Sequence, residues 1–139
     1  MSPICLYCGN AAELVNGAKI YPLRADLAPL NFWNCEPCSA FVGCHKAGSY
    51  RFEDGKKIVH KGTEPMGRLA DAELRRAKIA AHAAFDPLWK ASGKGRRFAY
   101  TWLAARLGLP VDRTHIGEFD AATCRKVVGL CKVAKCLVI

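Results

Sequence analysis

Two pairs of cysteines near the start of the sequence have the spacing of metal ligands. One Cys-x-x-Cys pair is formed by Cys5 and Cys8, and the second by Cys35 and Cys38. Four thiolates on two tight turns supply the tetrahedral set that a structural zinc ion takes in proteins. The pairs are further apart than the usual spacing of about 15–20 residues, and the loop 22–29 between two prolines accounts for the excess. The sequence therefore predicts one structural Zn²⁺ bound by these four cysteines.

Other interpretations of the cysteine pairs carry less weight. A redox dithiol would need a thioredoxin-like βαβ context, and the sequence around the pairs does not have that pattern. Cys44 and His45 follow the second pair closely, so either residue could replace one of the four ligands. Whether Cys44 or His45 replaces one of the four cysteine ligands stays open at this point.

The cysteines near the end of the chain suggest packing. Cys124 and Cys131 are seven residues apart and share a helical face with Val127 and Val128, and a free cysteine packs as a small apolar residue. A second metal site from His115, Cys124, Cys131 and Cys136 is the alternative, but its spacing matches no compact ligand pattern. We therefore predict core thiols.

The positive charge lies in the second part of the chain. The net charge is +9, yet residues 1–50 hold three basic and three acidic residues, whereas residues 51–139 hold eighteen and nine. Such an imbalance favours a polyanionic or acidic partner. Amides at the start of a helix after the loop 93–95, with arginines beside them, suit a phosphate, and nearby aromatics such as Trp89 could stack on an unpaired base. The predicted nucleic-acid contacts are Arg75, Arg76, Lys90, Lys94, Arg96, Arg97 and Tyr100. A patch for an acidic protein and a merely solvated surface are the alternatives.

Three histidines could take part in chemistry. His82 and Asp86 are four residues apart and could share one helix face, where the carboxylate would orient the imidazole. His45 and His115 lie in equally distinctive blocks, so a catalytic or second metal site is conceivable. The plainer interpretation is structural, because the sequence lacks a phosphate-binding glycine loop, a nucleophile motif and a His-Glu-x-x-His motif. The sequence favours a protein that is not an enzyme.

Short strands must position the four cysteines. Asn16-Gly17 predicts a hairpin over 13–21, since both residues of a type I′ turn favour positive φ. Asp54-Gly55 predicts a second hairpin over Tyr50–His60. Strands at 32–34 and 40–42 flank the second cysteine pair. These elements together form a zinc ribbon.

After residues 62–67, a linking segment rich in helix-breaking residues, the spacing of the apolar residues becomes that of a helix. An apolar stripe runs along a first helix through Ala70, Leu74, Ala77, Ala81, Phe85 and Leu88. Asp86-Pro87 is predicted to end that helix and begin another, with the aspartate as N-cap. A helix over 96–107 is expected to bury Phe98, Trp102 and Ala105, and the last helix is expected to begin at an Asp120 N-cap.

The predicted fold class is α+β, with an N-terminal zinc ribbon of short antiparallel hairpins followed by a small C-terminal helical part. We assign residues 1–62 to the ribbon with its added hairpin and residues 63–139 to a basic helical domain. The first residues do not resemble a signal peptide, and no apolar run approaches the ~20 residues of a membrane span. We expect a cytoplasmic protein without a membrane partner.

Several ordered blocks carry a family resemblance. They are 41–46 (Phe-Val-Gly-Cys-His-Lys), 65–71 (Pro-Met-Gly-Arg-Leu-Ala-Asp), 81–82 (Ala-His), 85–89 (Phe-Asp-Pro-Leu-Trp), 100–104 (Tyr-Thr-Trp-Leu-Ala) and 115–120 (His-Ile-Gly-Glu-Phe-Asp). From Cys5 to about Val128 the chain resembles a zinc-finger-containing family of unknown function carried by phages, prophages and other bacterial mobile elements, with the 50–60 hairpin as an insertion. The resemblance implies a zinc site and an accessory role in a mobile element, within the host cytoplasm. It implies no reaction.

Three functions are therefore compatible with the sequence. The first is a nucleic-acid-binding accessory protein that uses the basic helical surface. The second is a phage-encoded inhibitor that binds a host defence or regulatory protein, and the third is a metal-dependent enzyme.

Overall fold

The computed structural model describes residues 2–137, apart from the side chains of Ser92 and residues 135–137. The chain divides into two compact units, residues 1–71 and residues 72–139. The first unit contains the strands and the second the long helices, so the predicted α+β class with an N-terminal zinc ribbon is confirmed. Among the described residues, no helix combines the length and apolar character needed to cross a membrane.

A three-stranded antiparallel sheet organises the first unit. Strand β1 (Glu13–Asn16) pairs with β2 (Asn31–Cys35), and β2 pairs with β3 (Ala40–Gly43). The central strand is the most buried of the three, because its large side chains Phe32 and Trp33 are both 8% exposed. The small core around the cysteines consists of Cys5, Ala12, Trp33, Cys35, Ala40 and Leu69.

The predicted hairpin turn at Asn16-Gly17 is wrong. Asn16 has φ −92°, and its side chain accepts a hydrogen bond from the Ala18 amide at 3.1 Å, so it caps the short helix α1 (Gly17–Ile20). The chain then reaches β2 through a 3₁₀ turn, Ala25–Leu27. Gly17 is required for a different reason, since a Cβ there would lie 1.7 Å from the Leu27 carbonyl oxygen. The Asn-Gly pair therefore permits a close backbone approach and a helix start.

Residues 62–71 belong to the first unit through backbone pairing with its sheet. The Trp33 indole donates to the Thr63 carbonyl at 2.7 Å. Phe41 and Ala70 exchange both backbone hydrogen bonds, at 2.9 and 3.0 Å. The Asp71 amide donates to the Tyr7 hydroxyl at 3.3 Å. The segment predicted as a link thus covers the outer edge of β3.

The second predicted hairpin is confirmed. Strands β4 (Tyr50–Glu53) and β5 (Lys56–Val59) form a separate two-stranded antiparallel sheet. Asp54 has φ 52° and Gly55 has φ 77°, which is the pair of positive values that a type I′ turn requires.

In the described part of the chain, the second unit contains three α-helices, α2 (Ala72–Ser92), α3 (Arg96–Leu107) and α4 (Ala121–Leu137), and two 3₁₀ turns, Val111–Arg113 and Ile116–Glu118. Helices α2 and α4 form its main packing interface. The buried residues of these two helices are Leu74, Ala77, Ala81 and Phe85 on α2 and Cys124, Val127 and Cys131 on α4. The stripe predicted on α2 is therefore largely the buried face. The predicted Asp120 N-cap is confirmed, since its carboxylate accepts from the Thr123 amide at 2.8 Å.

Two predictions about the helices are wrong. Helix α2 continues through Asp86-Pro87, where the Asp86 carboxylate accepts from the Trp89 indole at 3.1 Å and does not cap a new helix. Pro87 and Ala83 are both exposed, so water can satisfy the carbonyl that the proline leaves without an N–H.

The buried face of α3 also differs from the prediction. That face is formed by Ala99, Tyr100, Leu103 and Ala104. Phe98 is 54% exposed, Ala105 is exposed and Trp102 is half-buried. Because α3 carries large apolar or aromatic residues on both faces, its periodicity did not distinguish the two faces.

Candidate metal centre and basic cleft

Each predicted cysteine pair lies on a tight backbone turn. In the first, the Gly9 amide donates to the Cys5 carbonyl at 2.8 Å, and Gly9 has φ 79°. In the second, the residue in the equivalent position is Ser39, with φ 50°. A left-handed residue directly after the second cysteine turns both chains back, so that each pair presents its two sulfurs on one side. The two turns share this left-handed residue but differ in their backbone hydrogen bond, since the Ser39 amide donates to the Glu36 carbonyl at 3.1 Å.

The four sulfurs converge to the dimensions of a tetrahedral site. The Sγ atoms of Cys5, Cys8, Cys35 and Cys38 all lie within 4.8 Å of one another. The closest pair that the structure records, Cys8 and Cys35, is 3.6 Å apart. Zn–S bonds of about 2.3 Å in a tetrahedron place sulfurs about 3.8 Å apart. The cluster therefore fits one structural Zn²⁺ ion.

The surroundings of the thiols favour a structural site. Cys5 is fully buried and Cys35 is 5% exposed, whereas Cys8 reaches the surface. A backbone hydrogen bond from Asn10 lowers the pKa of Cys8 to about 7. The hydrogen bond with Cys8, together with burial, raises the pKa of Cys38 to about 12. Zinc requires thiolates, so its binding displaces the protons that these thiols hold at neutral pH. Four protein sulfurs also leave no coordination position open for a substrate.

Cys44 and His45 lie outside this four-sulfur cluster. Cys44 packs against the cysteine core, and burial raises the pKa of its thiol. The His45 ring stacks on His60, with ring centroids 4.1 Å apart and an angle of 11° between the planes. His60 is 4% exposed, and its Nδ1 lies 3.4 Å from the Glu64 carboxylate. Sequence reasoning missed His60, whose only signal was its position at the end of the second hairpin.

The thiols of the helical unit are core residues, as predicted. Cys124 is fully buried and Cys131 is 2% exposed. Burial raises the pKa of Cys131 to about 11. The side chain of Cys136, one of the four residues of the alternative second metal site, lies outside the described residues. Within that part of the chain, the four N-terminal cysteines are the only group of metal-binding side chains that converge.

A basic cleft opens at the start of α3. It is an open depression of about 400 Å³, lined by Arg96, Arg97, Tyr100, Val111 and His115. The two arginines are exposed, whereas Tyr100 is only 8% exposed and packs its ring against Phe85 at 4.7 Å. Three of the predicted nucleic-acid residues therefore share one cleft, together with His115, which the sequence analysis had singled out for other chemistry. Sequence reasoning missed Val111.

The remaining predicted basic residues lie along α2 and its end. Arg76 and Lys90 are exposed, and Arg75 is half-buried. Lys94 is exposed, and its Nζ lies 4.8 Å from the centre of the Phe98 ring. His82 and Asp86 do share a face of α2, with Nδ1 and Oδ1 3.8 Å apart. His82 is well exposed there, so the pair is a surface contact.

The short-stranded sheet, the two cysteine turns and the four converging sulfurs define a zinc-ribbon protein with a structural metal site. A family model described as a zinc-finger-containing domain matches residues 1–134. The chain belongs to this family, and the predicted membership of a zinc-finger family is confirmed. No curated protein and no solved structure matches the chain.

Proposed function

We propose that this protein is a nucleic-acid-binding protein in which zinc stabilises the first unit and the helical unit carries the binding surface. The observation that carries the proposal is the basic cleft. Among the side chains that the structure describes, its lining includes the exposed guanidinium groups of Arg96 and Arg97 and no carboxylate. A cleft with only positive or neutral side chains attracts a polyanion.

The backbone at this position also suits a phosphate. Gly95 is the N-cap residue of α3 and, having no side chain, does not cap the helix start with a side-chain hydrogen bond. The first turn contains Arg96 and Arg97 and no acidic residue. The amides of a first helical turn have no carbonyl partners within the helix, and the helix dipole favours an anion beside them. A phosphate there would accept from the amides while the guanidinium groups neutralise its charge.

The charge of the whole helical unit supports the same partner. Residues 72–139 contain thirteen lysines and arginines but five aspartates and glutamates, a net charge of +8. Neutralising phosphates with such residues releases counterions, which contributes much of the affinity of nucleic-acid-binding proteins. Phe98, exposed beside Lys94, is better placed than buried Tyr100 to stack on a base.

We further propose that the protein acts as an accessory protein of a mobile element inside the host cell. This proposal rests on the resemblance of the sequence to proteins from such elements. The zinc ribbon would then provide a stable scaffold, and the basic unit would recruit the protein to nucleic acid.

Salt-dependent binding tests the proposal. The dissociation constant for duplex and single-stranded DNA and RNA is measured at several salt concentrations, for the wild type and for Arg96→Ala/Arg97→Ala. The double variant should lose roughly tenfold or more in affinity, and its salt slope should fall by about one to two units. Its stability should be nearly unchanged, because both residues are exposed.

The matched control is Lys126→Ala/Lys132→Ala, which removes two exposed charges from α4, away from the lining of the cleft. Equal losses in the two double variants would mean diffuse attraction without a site. If the wild type binds no nucleic acid even at low salt, the proposal is wrong, and an acidic protein becomes the expected partner.

A further inference from the structure

The β4–β5 hairpin presents large aromatic side chains to solvent. Tyr50 is 57% exposed, Phe52 is 67% exposed and Val59 is 54% exposed. Seven of the eight strand residues are exposed and the other is half-buried, so this sheet has almost no core of its own. Exposed aromatic residues grouped on one short sheet are typical of a binding surface.

The strand register places four side chains on one face. Tyr50 pairs with Val59 and Phe52 pairs with Lys57, and residues two apart in a strand point to the same side. We call these four residues the hairpin face. The two rings are 5.7 Å apart and perpendicular, with 83° between their planes. The Lys57 ammonium lies 4.4 Å from the centre of the Tyr50 ring.

The charge around the hairpin face is positive. Residues 46–61 contain five basic residues and two acidic ones. The acidic Glu53 is bonded to Arg51 at 3.0 Å, and both belong to the opposite face of the hairpin. The Lys57 ammonium is thus the charged group that accompanies the aromatic rings.

We propose that the hairpin face binds unpaired bases of a single-stranded nucleic acid, with Lys57 contacting the adjacent phosphate. The inference rests on the proposed function for the class of partner and adds a second surface and a preference for single strands. A base in a duplex has both of its faces covered by its neighbours, whereas an unpaired base can stack on an exposed ring. Two perpendicular rings suit a base that has left its stack, since one ring can take its face while the other meets its edge.

Lys57 favours a nucleic acid over a protein as the partner of the hairpin face. An apolar protein surface on the hairpin face would bury the Lys57 ammonium without a counter-ion, and the cores of protein interfaces are depleted in lysine. A phosphate would pair with the ammonium. The cation–π contact between Lys57 and Tyr50 lies on the surface and is therefore weak, so the lysine can leave the ring when a base stacks there.

The test compares one mixed-sequence oligonucleotide as a single strand and annealed to its complement, by fluorescence anisotropy with the full chain. Tyr50→Ala/Phe52→Ala should bind the single strand roughly 10–100-fold more weakly, since each stacked ring contributes about tenfold. Its duplex affinity and its salt slope should remain those of the wild type, because no charge is removed. Tyr50→Phe/Phe52→Tyr keeps both rings and should bind the single strand as the wild type does.

Leu23→Ala is the control for removing an exposed apolar side chain from the same unit, since Leu23 is 96% exposed. Zinc content and circular dichroism show that each variant is folded. Equal losses on single strand and duplex would overturn the inference. If Arg96→Ala/Arg97→Ala weakens binding and the hairpin variant does not, the inference fails while the proposed function stands. If the wild type binds polyglutamate and no nucleic acid, both fail.

Discussion

The substitution Cys35→Ser should unfold the first unit. Cys35 is 5% exposed, lies at the end of the central strand, and is the thiol closest to Cys8 among the recorded distances. A serine hydroxyl does not replace a thiolate as a zinc ligand at neutral pH, so the site loses its tetrahedral set. Because the same residue links the sheet to the metal, loss of the ion removes the main stabilisation of the unit.

The magnitude follows from the small core. The three-stranded sheet orders thirteen residues, at a cost of about 13–26 kcal/mol in backbone entropy. Its two largest buried apolar side chains near the cysteines are Trp33 and Leu69, and they contribute roughly 3–6 kcal/mol. A structural zinc contributes about 10–16 kcal/mol. With the zinc, the stabilising contributions therefore reach about the size of the backbone entropy cost. Without the ion, the backbone entropy cost exceeds this burial contribution by about 7–23 kcal/mol.

The assay measures zinc per chain by elemental analysis of protein purified without added metal, and strand structure by circular dichroism with and without chelator. The wild type should carry one zinc, and Cys35→Ser should carry none and lose its strand signal. Cys44→Ser is the matched control, since Cys44 packs against the same core outside the sulfur cluster, and it should keep its zinc. A wild-type chain that stays folded in chelator, or equal zinc loss in both variants, would refute the reasoning.

Three further predictions concern packing and backbone geometry and are measured by urea denaturation. Phe85→Ala should lower the free energy of unfolding of the helical unit by about 3–5 kcal/mol, because Phe85 is fully buried. Trp102→Ala should lower it clearly less, because Trp102 is half-buried. Equal decreases would mean that the buried face of α3 is misassigned. Gly17→Ala should destabilise the first unit by about 1–3 kcal/mol or more, because its Cβ would overlap the Leu27 carbonyl. Gly129→Ala should instead stabilise α4 by roughly 0.5–1 kcal/mol, since nothing lies within 4 Å of the added Cβ; a loss there would contradict the assumed open helix surface.

The sequence alone determined the features that depend on local chemistry. The spacing of Cys5, Cys8, Cys35 and Cys38 identified the metal ligands, because zinc accepts few ligand types in one geometry. Asp54-Gly55 formed its predicted turn, since both of its residues adopt the positive φ that the turn requires. Such features need only neighbouring residues, so their sequence signals are direct.

The tertiary structure decided the features that depend on distant residues. Asn16-Gly17 carries the same turn signal as Asp54-Gly55, yet the approach of the Leu27 carbonyl to Gly17 and the pairing of β1 with β2 impose a helix start there. In the helical unit, α2 continues through Pro87 and packs against α4, although Asp86-Pro87 alone predicts a helix end. His115 and Val111 join the arginines of α3 in one cleft, although they are distant in sequence. Propensity describes what a segment can adopt alone, and packing between segments selects among those conformations.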